Sequence, residues 1–195
     1  MVKKEIRAQE DLLVALEKFK KLNSSLKDSY SSERKIKGEK VYFFVNDVVK
    51  DVLKFSKQLL SKKISISAKN PKSNKVLLAN KNLLYQVLLN LIIMAKEAIE
   101  EDGEISIEVG EVFCPKRGSK GRKFSSISVS DTGCGMNVVR KRIFDPIFTA
   151  KNSSGSSVFG LHFILNSIKN MGGWVEILSE PDHGSTFIIY LPLFD

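Results

Sequence analysis

The 195-residue chain predicts a two-layer α/β sandwich, a mixed sheet covered on one face by three helices, with an amphipathic helix at its N-terminus. Three observations predict it. Short β-rich runs outnumber helical runs and are mostly separated by turn residues, which implies hairpin pairing. Three segments after residue 38 carry apolar residues at helical spacing. At 43% hydrophobic the chain can bury one good core, and no internal repeat suggests more than one.

Residues 3 to about 30 place Leu12, Leu13, Leu16, Phe19, Leu22 and Leu26 at helical spacing among charges. Such a stripe needs a partner face, a second copy of the helix or another protein. Ser31 to Lys37 is a polar linker, so the expected domains are 1–37 and 38–195, with Gly38 opening the compact one. Val41 to Val45 reads as a strand, and Asn46 as the cap of a helix bearing Val48, Val49, Val52, Leu53, Phe55, Leu59 and Leu60. Ile64 to Ala68 and Val76 to Ala79 read as strands. Asn80 then caps a long helix from about Lys81 to Glu101.

Ile105 to Phe113 and Phe124 to Ser130 form a hairpin across the loop Lys116-Arg117-Gly118-Ser119-Lys120-Gly121-Arg122-Lys123. A helix over about Phe159 to Met171 and strands Trp174 to Ser179 and Thr186 to Leu191, joined by Pro181-Asp182-His183-Gly184, complete the domain.

The formal charge of +9 raises nucleic acid as a partner. Lysines are spread along the whole chain, however, and the densest basic loop has turn composition without interleaved aromatics, which describes a solvated hairpin tip. The longest apolar runs fall well short of the ~20 residues of a membrane span, and Met1-Val2-Lys3-Lys4-Glu5 is no signal peptide. Cys114 and Cys134 show neither metal-ligand nor redox spacing and read as free thiols of a reducing cytosol. A cytoplasmic location is expected.

The stretch richest in chemistry is Val129-Ser130-Asp131-Thr132-Gly133-Cys134-Gly135-Met136. An alternating strand delivers one carboxylate to a turn in which Gly133 and Gly135 let the backbone bend and approach a ligand. Such a carboxylate accepts a hydrogen bond from an exocyclic amine, which is a way to recognise adenine. Asp-x-Gly also marks ordinary turns.

Asn90 begins Asn90-Leu91-Ile92-Ile93-Met94-Ala95 upstream, and Arg142-Ile143-Phe144-Asp145-Pro146-Ile147-Phe148-Thr149-Ala150-Lys151 and Gly172-Gly173-Trp174-Val175-Glu176-Ile177 follow downstream. In this order the segments resemble the N, G1 and F boxes and closing strands of the catalytic ATP-binding domain of sensor histidine kinases, a branch of the GHKL ATPases. The resemblance covers about residues 40 to 192. It implies the same sandwich, of the Bergerat type, with ATP or ADP between the helix layer and a lid.

The resemblance also implies roles: Asp131 with Gly133 and Gly135 for adenine, Thr186 near adenine, Asn90 and Lys151 for the phosphates, and Gly160 at the helix that closes the lid. Each has a plainer reading, namely a satisfied polar residue for Asn90, a β-former for Thr186 and a solvated lysine for Lys151. Two departures stand out. Met94 replaces the asparagine that coordinates Mg²⁺ in the family, and a thioether is a poor ligand for that hard cation. Val158, in Ser156-Ser157-Val158-Phe159-Gly160-Leu161, replaces a lid glycine, and a β-branched residue resists positive φ.

No metal ligand is therefore assigned, and dependence on Mg²⁺ is doubtful. His162 and His183, the two histidines, both read as structural, so no catalytic residue is assigned either. Two functions remain open. One is a catalytic domain that phosphorylates a histidine on a dimerisation hairpin outside this chain and so serves a response regulator. The other is a degenerate kinase-like domain that binds a protein partner.

Overall fold

In the computed structural model the described residues are 39–69, 75–114, 121–136 and 156–194, with only the backbone described at 114 and 156–160. The chain divides into two units, Met1–Gly38 and Glu39–Asp195, and every described residue belongs to the second. The expected N-terminal helix and linker lie outside the described residues.

The elements run β1 (Val41–Phe44), α1 (Val45–Leu59), β2 (Ile64–Lys69), β3 (Val76–Ala79), α2 (Lys81–Ala98), β4 (Gly103–Cys114), β5 (Arg122–Asp131), α3 (Ser156–Asn170), β6 (Trp174–Ser179) and β7 (Ser185–Pro192). Five strands form one sheet in the order β2-β4-β5-β7-β6, while β1 and β3 form a separate antiparallel ribbon. Among the described strands only β2 and β4 pair in parallel, so the sheet is mixed as expected. The three helices and this mixed sheet make the α/β sandwich.

Alternation along the strands gives the sheet one apolar face. Ile107, Val129 and Phe187 stand in register across β4, β5 and β7, as do Val109, Ile127 and Ile189, and all six are buried. Helix α2 lies in the middle of the helix layer, between α1 and α3 and against β5. It is therefore apolar around most of its circumference, with Leu84, Val87 and Leu88 completely inaccessible. Its N-terminus is capped as expected: Asn80 Oδ1 accepts the Leu83 N–H at 3.0 Å.

Helix α1 starts differently. It begins at Val45, behind Phe44, with no side-chain cap, and Asn46 is buried inside its first turn. The start is set by strand pairing instead: β1 ends where Phe44 faces Val76, and the next N–H, of Val45, donates to Lys75 O at 2.9 Å. Helix α2 ends at Ala98 rather than Glu101, because Ile99 turns extended towards β4. Helix α3 begins at Ser156, ahead of Phe159.

Candidate functional site

The pairing of β5 with its neighbours places Asp131 across from Ile105 on one side and Ser185 on the other. The pairing of β6 with β7 then extends the row to Ser179. One end of the apolar face thus closes in polar side chains, Asp131, Ser185 and Ser179, and all three are buried.

Asp131 Oδ1 accepts two backbone hydrogen bonds, from Gly133 N–H at 2.9 Å and Ser185 N–H at 3.3 Å. Among the described residues nothing donates to Oδ2. Burial pushes the Asp131 carboxyl above the usual aspartate range, and the two N–H donors pull it partly back. One oxygen is fixed by backbone while the other is open to a donor.

The turn after Asp131 is held on two sides. Against α2, Cys134 N–H donates to Ala98 O at 3.0 Å, and a Cβ at Gly133 would stand 2.6 Å from that same oxygen. Against the β6–β7 turn, Asp182 N–H donates to Cys134 O at 2.9 Å and Met136 N–H to Ser179 Oγ at 2.8 Å. Gly135 has φ +62°, and a Cβ there would overlap the Glu180 carbonyl oxygen. Both glycines are thus required by close approach of backbone.

A buried carboxylate, with one oxygen to which no described residue donates, thus stands beside a turn pinned to the end of a helix. The family described as histidine kinase-, DNA gyrase B- and HSP90-like ATPase matches residues 79–195, more than half of the chain. The chain belongs to this ATPase family. Within it, the domain is of the ATP-binding catalytic type found in two-component sensor histidine kinases.

The chain is 36% identical over 116 residues to the signal transduction histidine-protein kinase AtoS of Escherichia coli, covering 59% of this chain and 17% of that protein. It is 32% identical over 151 residues to the sensor histidine kinase ZraS of Salmonella typhimurium, covering 76% of this chain and 30% of that protein. The chain therefore spans less than a third of the length of these relatives. Its fold is shared with the nucleotide-free catalytic domain of histidine kinase ThkA, at TM-score 0.62 and 23% identity over 80% of this chain and 96% of that one. It is shared as well with Acinetobacter baumannii histidine kinase AdeS, at TM-score 0.67 and 18% identity over 95% of this chain and 84% of that one.

The ATPase-family motifs of this chain fall as follows. Asn90 is buried on α2, and its side chain makes no hydrogen bond to the helix backbone around it or to any other described residue. Met94, one turn on, is half-buried. Lys151 and the aromatic residues Phe144 and Phe148 lie outside the described residues. Gly160 lies in the second turn of α3.

Two expectations change. Thr186 pairs with Ser130, and its Oγ1 donates to Ser130 Oγ at 2.9 Å, so it lies on the sheet face opposite Asp131. The residue on the Asp131 face is Ser185, because neighbours along a strand point to opposite faces. The sequence carried that signal: Phe187, Ile189 and Leu191 alternate with Ser185, not with Thr186. Val158 lies in the first turn of α3, where helical φ suits a β-branched residue well enough, so the objection from positive φ does not apply.

Proposed function

We propose that this chain is the catalytic part of a two-component sensor histidine kinase that binds ATP and transfers its γ-phosphoryl group to a histidine supplied outside the chain. The observation that carries this reading is the Asp131 carboxylate, buried, with Oδ1 held by Gly133 and Ser185 and Oδ2 free of described donors. An ionised carboxylate so placed takes the exocyclic amine of adenine and repels a carbonyl there.

Several residues support the remaining roles. The Asn90 amide, buried and without a hydrogen bond to any described residue, is available to the phosphates or their cation, and Lys151 and the backbone at Gly160 serve the phosphate end. In this reading Gly133 and Gly135 fit the turn closely against the base, and Ser185 takes the place expected of Thr186. Transfer relies on positioning and electrostatics rather than on a side-chain nucleophile. Mg²⁺ supplies charge neutralisation when bound; Asn90 offers it a hard oxygen and Met94 does not.

The division into 1–37 and 38–195, with the first segment acting like the second helix of a dimerisation hairpin, belongs to this proposal. So do pairing of residues 3–30 with a second copy, a response regulator as the final acceptor, and a cytoplasmic location. Among the described residues no helix is long and apolar enough to cross a membrane.

The second reading, a protein-binding module with weak or no ATP binding, is favoured by one observation, Met94 in place of an oxygen ligand. The test is a titration of ADP and ATP, with and without Mg²⁺, followed by phosphotransfer to a histidine-bearing dimerisation hairpin supplied separately. Nucleotide binding with transfer supports the kinase, and weak binding or none, without transfer, supports the module. No adenine nucleotide binding at all would overturn the assignment of the site.

A further inference from the structure

Ser179 ends β6 directly across from Ser185, and both are buried. Three groups surround its hydroxyl. Met136 N–H donates to it at 2.8 Å, the Gly184 carbonyl accepts from it at 3.0 Å, and Ser185 Oγ lies 2.9 Å away. A hydroxyl has one proton and two lone pairs.

A carbonyl cannot donate, so the Ser179 proton points to Gly184. Its two lone pairs then receive the Met136 N–H and the Ser185 O–H. This fixes the direction of the chain of hydroxyls: the single Ser185 proton points to Ser179, away from Asp131. Among the described residues nothing donates to Ser185 Oγ, whose lone pairs stay open. Ser185 N–H is already engaged with Asp131 Oδ1.

We propose that Ser179 is a positioning residue that sets base selectivity, because it holds the Ser185 hydroxyl as an acceptor beside the Asp131 carboxylate. The two side chains then offer acceptors only. Both acceptors suit the two N–H bonds of a 6-amino group and oppose a 6-carbonyl, the difference between adenine and hypoxanthine at that one position. The inference rests on the nucleotide reading above and adds to it a residue outside direct contact with the base.

The test uses the full chain as wild type, Ser179→Ala, Ser179→Thr, Ser185→Ala and the double alanine variant, each titrated calorimetrically with ADP and with inosine diphosphate. Removing the Ser179 hydroxyl frees the Ser185 proton to turn towards a ligand carbonyl. The preference for ADP over inosine diphosphate should fall about tenfold, the scale of one redirected hydrogen bond. Ser179→Thr keeps the hydroxyl and should keep the preference. In the Ser185→Ala background, Ser179→Ala should leave the ratio unchanged, since the two act through one bond.

A purely structural role, through the tie to Met136, would weaken both nucleotides alike and leave their ratio as it is; that result overturns the proposal. Should Ser179→Ala fail to fold, Ser185→Ala decides alone, and an unchanged ratio there also overturns it. Binding of ADP by the wild type with unaltered ratios in the variants defeats the role of Ser179 while the nucleotide reading stands. Absence of ADP binding by the wild type defeats both.

Discussion

Ser185 faces Asp131 across the β5–β7 ladder, and its N–H donates to Asp131 Oδ1 at 3.3 Å, so the buried carboxylate is anchored by a strand that arrives more than fifty residues later in the chain. Gly133 supplies the second N–H, from within the turn itself. The local bond and the distant one together fix the oxygen they share, and no described residue donates to the other.

Asp131→Asn should weaken ADP binding by ~1–3 kcal/mol, the scale of a hydrogen bond to a charged group. The shape of the site is retained, since Oδ1 keeps its two backbone donors, so thermal stability should change far less than affinity. Calorimetry showing equal affinity, or GDP bound as tightly as ADP, would remove Asp131 from the adenine site.

The same carboxylate predicts a pH dependence. Burial raises its pKa above the ordinary 3.8, so protonation begins at a higher pH than for an exposed aspartate. Affinity for ADP should fall as pH drops through this raised value, because the neutral acid loses its charge as an acceptor. Stability moves the other way: the folded pKa lies above the unfolded one, so ionised Asp131 destabilises the fold at neutral pH, and acidification relieves that penalty. Titrations of ADP across pH for the wild type and Asp131→Asn should diverge only above the raised pKa, where the wild type is ionised. Equal pH dependence in both would assign the effect to another group.

Thr186→Ala should leave ADP affinity nearly unaltered, since its hydroxyl bonds Ser130 on the far face of the sheet. Ser185→Ala should reduce that affinity. Parallel calorimetric titrations of the two variants test the placement, and the reverse ranking would return Thr186 to the site.

How much of this was legible in the sequence depended on how far apart the deciding residues lie. Asp131 and its glycines could be read because strand, carboxylate and turn occupy eight consecutive residues. Asn80 was legible as a cap because its bond reaches only to Leu83. Asn46 looked equally suitable, but the start of α1 is decided by the pairing of Phe44 with Val76, a contact about thirty residues away. Thr186 was chosen over Ser185 by motif, whereas the face is decided by register against β5, and a one-residue difference reverses it. Ser179 carried no signal of its own, since its importance comes from three bonds to separate segments.

Gly135→Ala should destabilise the domain markedly, by ~1–3 kcal/mol for the left-handed backbone alone, with the overlap at Glu180 in addition. Denaturant unfolding measures it. Because Met136 and Cys134 tie this turn to Ser179 and Asp182, ADP affinity should fall as well. A stable variant with full affinity would show that the turn can relax away from the β6–β7 loop.

Met94→Asn should make ATP binding more sensitive to Mg²⁺. The residue lies one turn after Asn90 on α2, so the new amide would project from the same side as the buried Asn90 amide and offer the cation a second oxygen in place of sulfur. Val158→Gly should give no such gain: position 158 is helical, so glycine there costs up to ~1 kcal/mol of helix stability without freeing a strained turn. The single methionine replacement should therefore be enough, and adding Val158→Gly should bring no further increase. ATP titrations at fixed and at chelated Mg²⁺ for both single variants and the double variant check this. Strong dependence on Mg²⁺ in the unaltered chain would show that Asn90 and groups outside the described residues already hold the cation, and a gain seen only in the double variant would show that the first turn of α3 has to open when nucleotide binds.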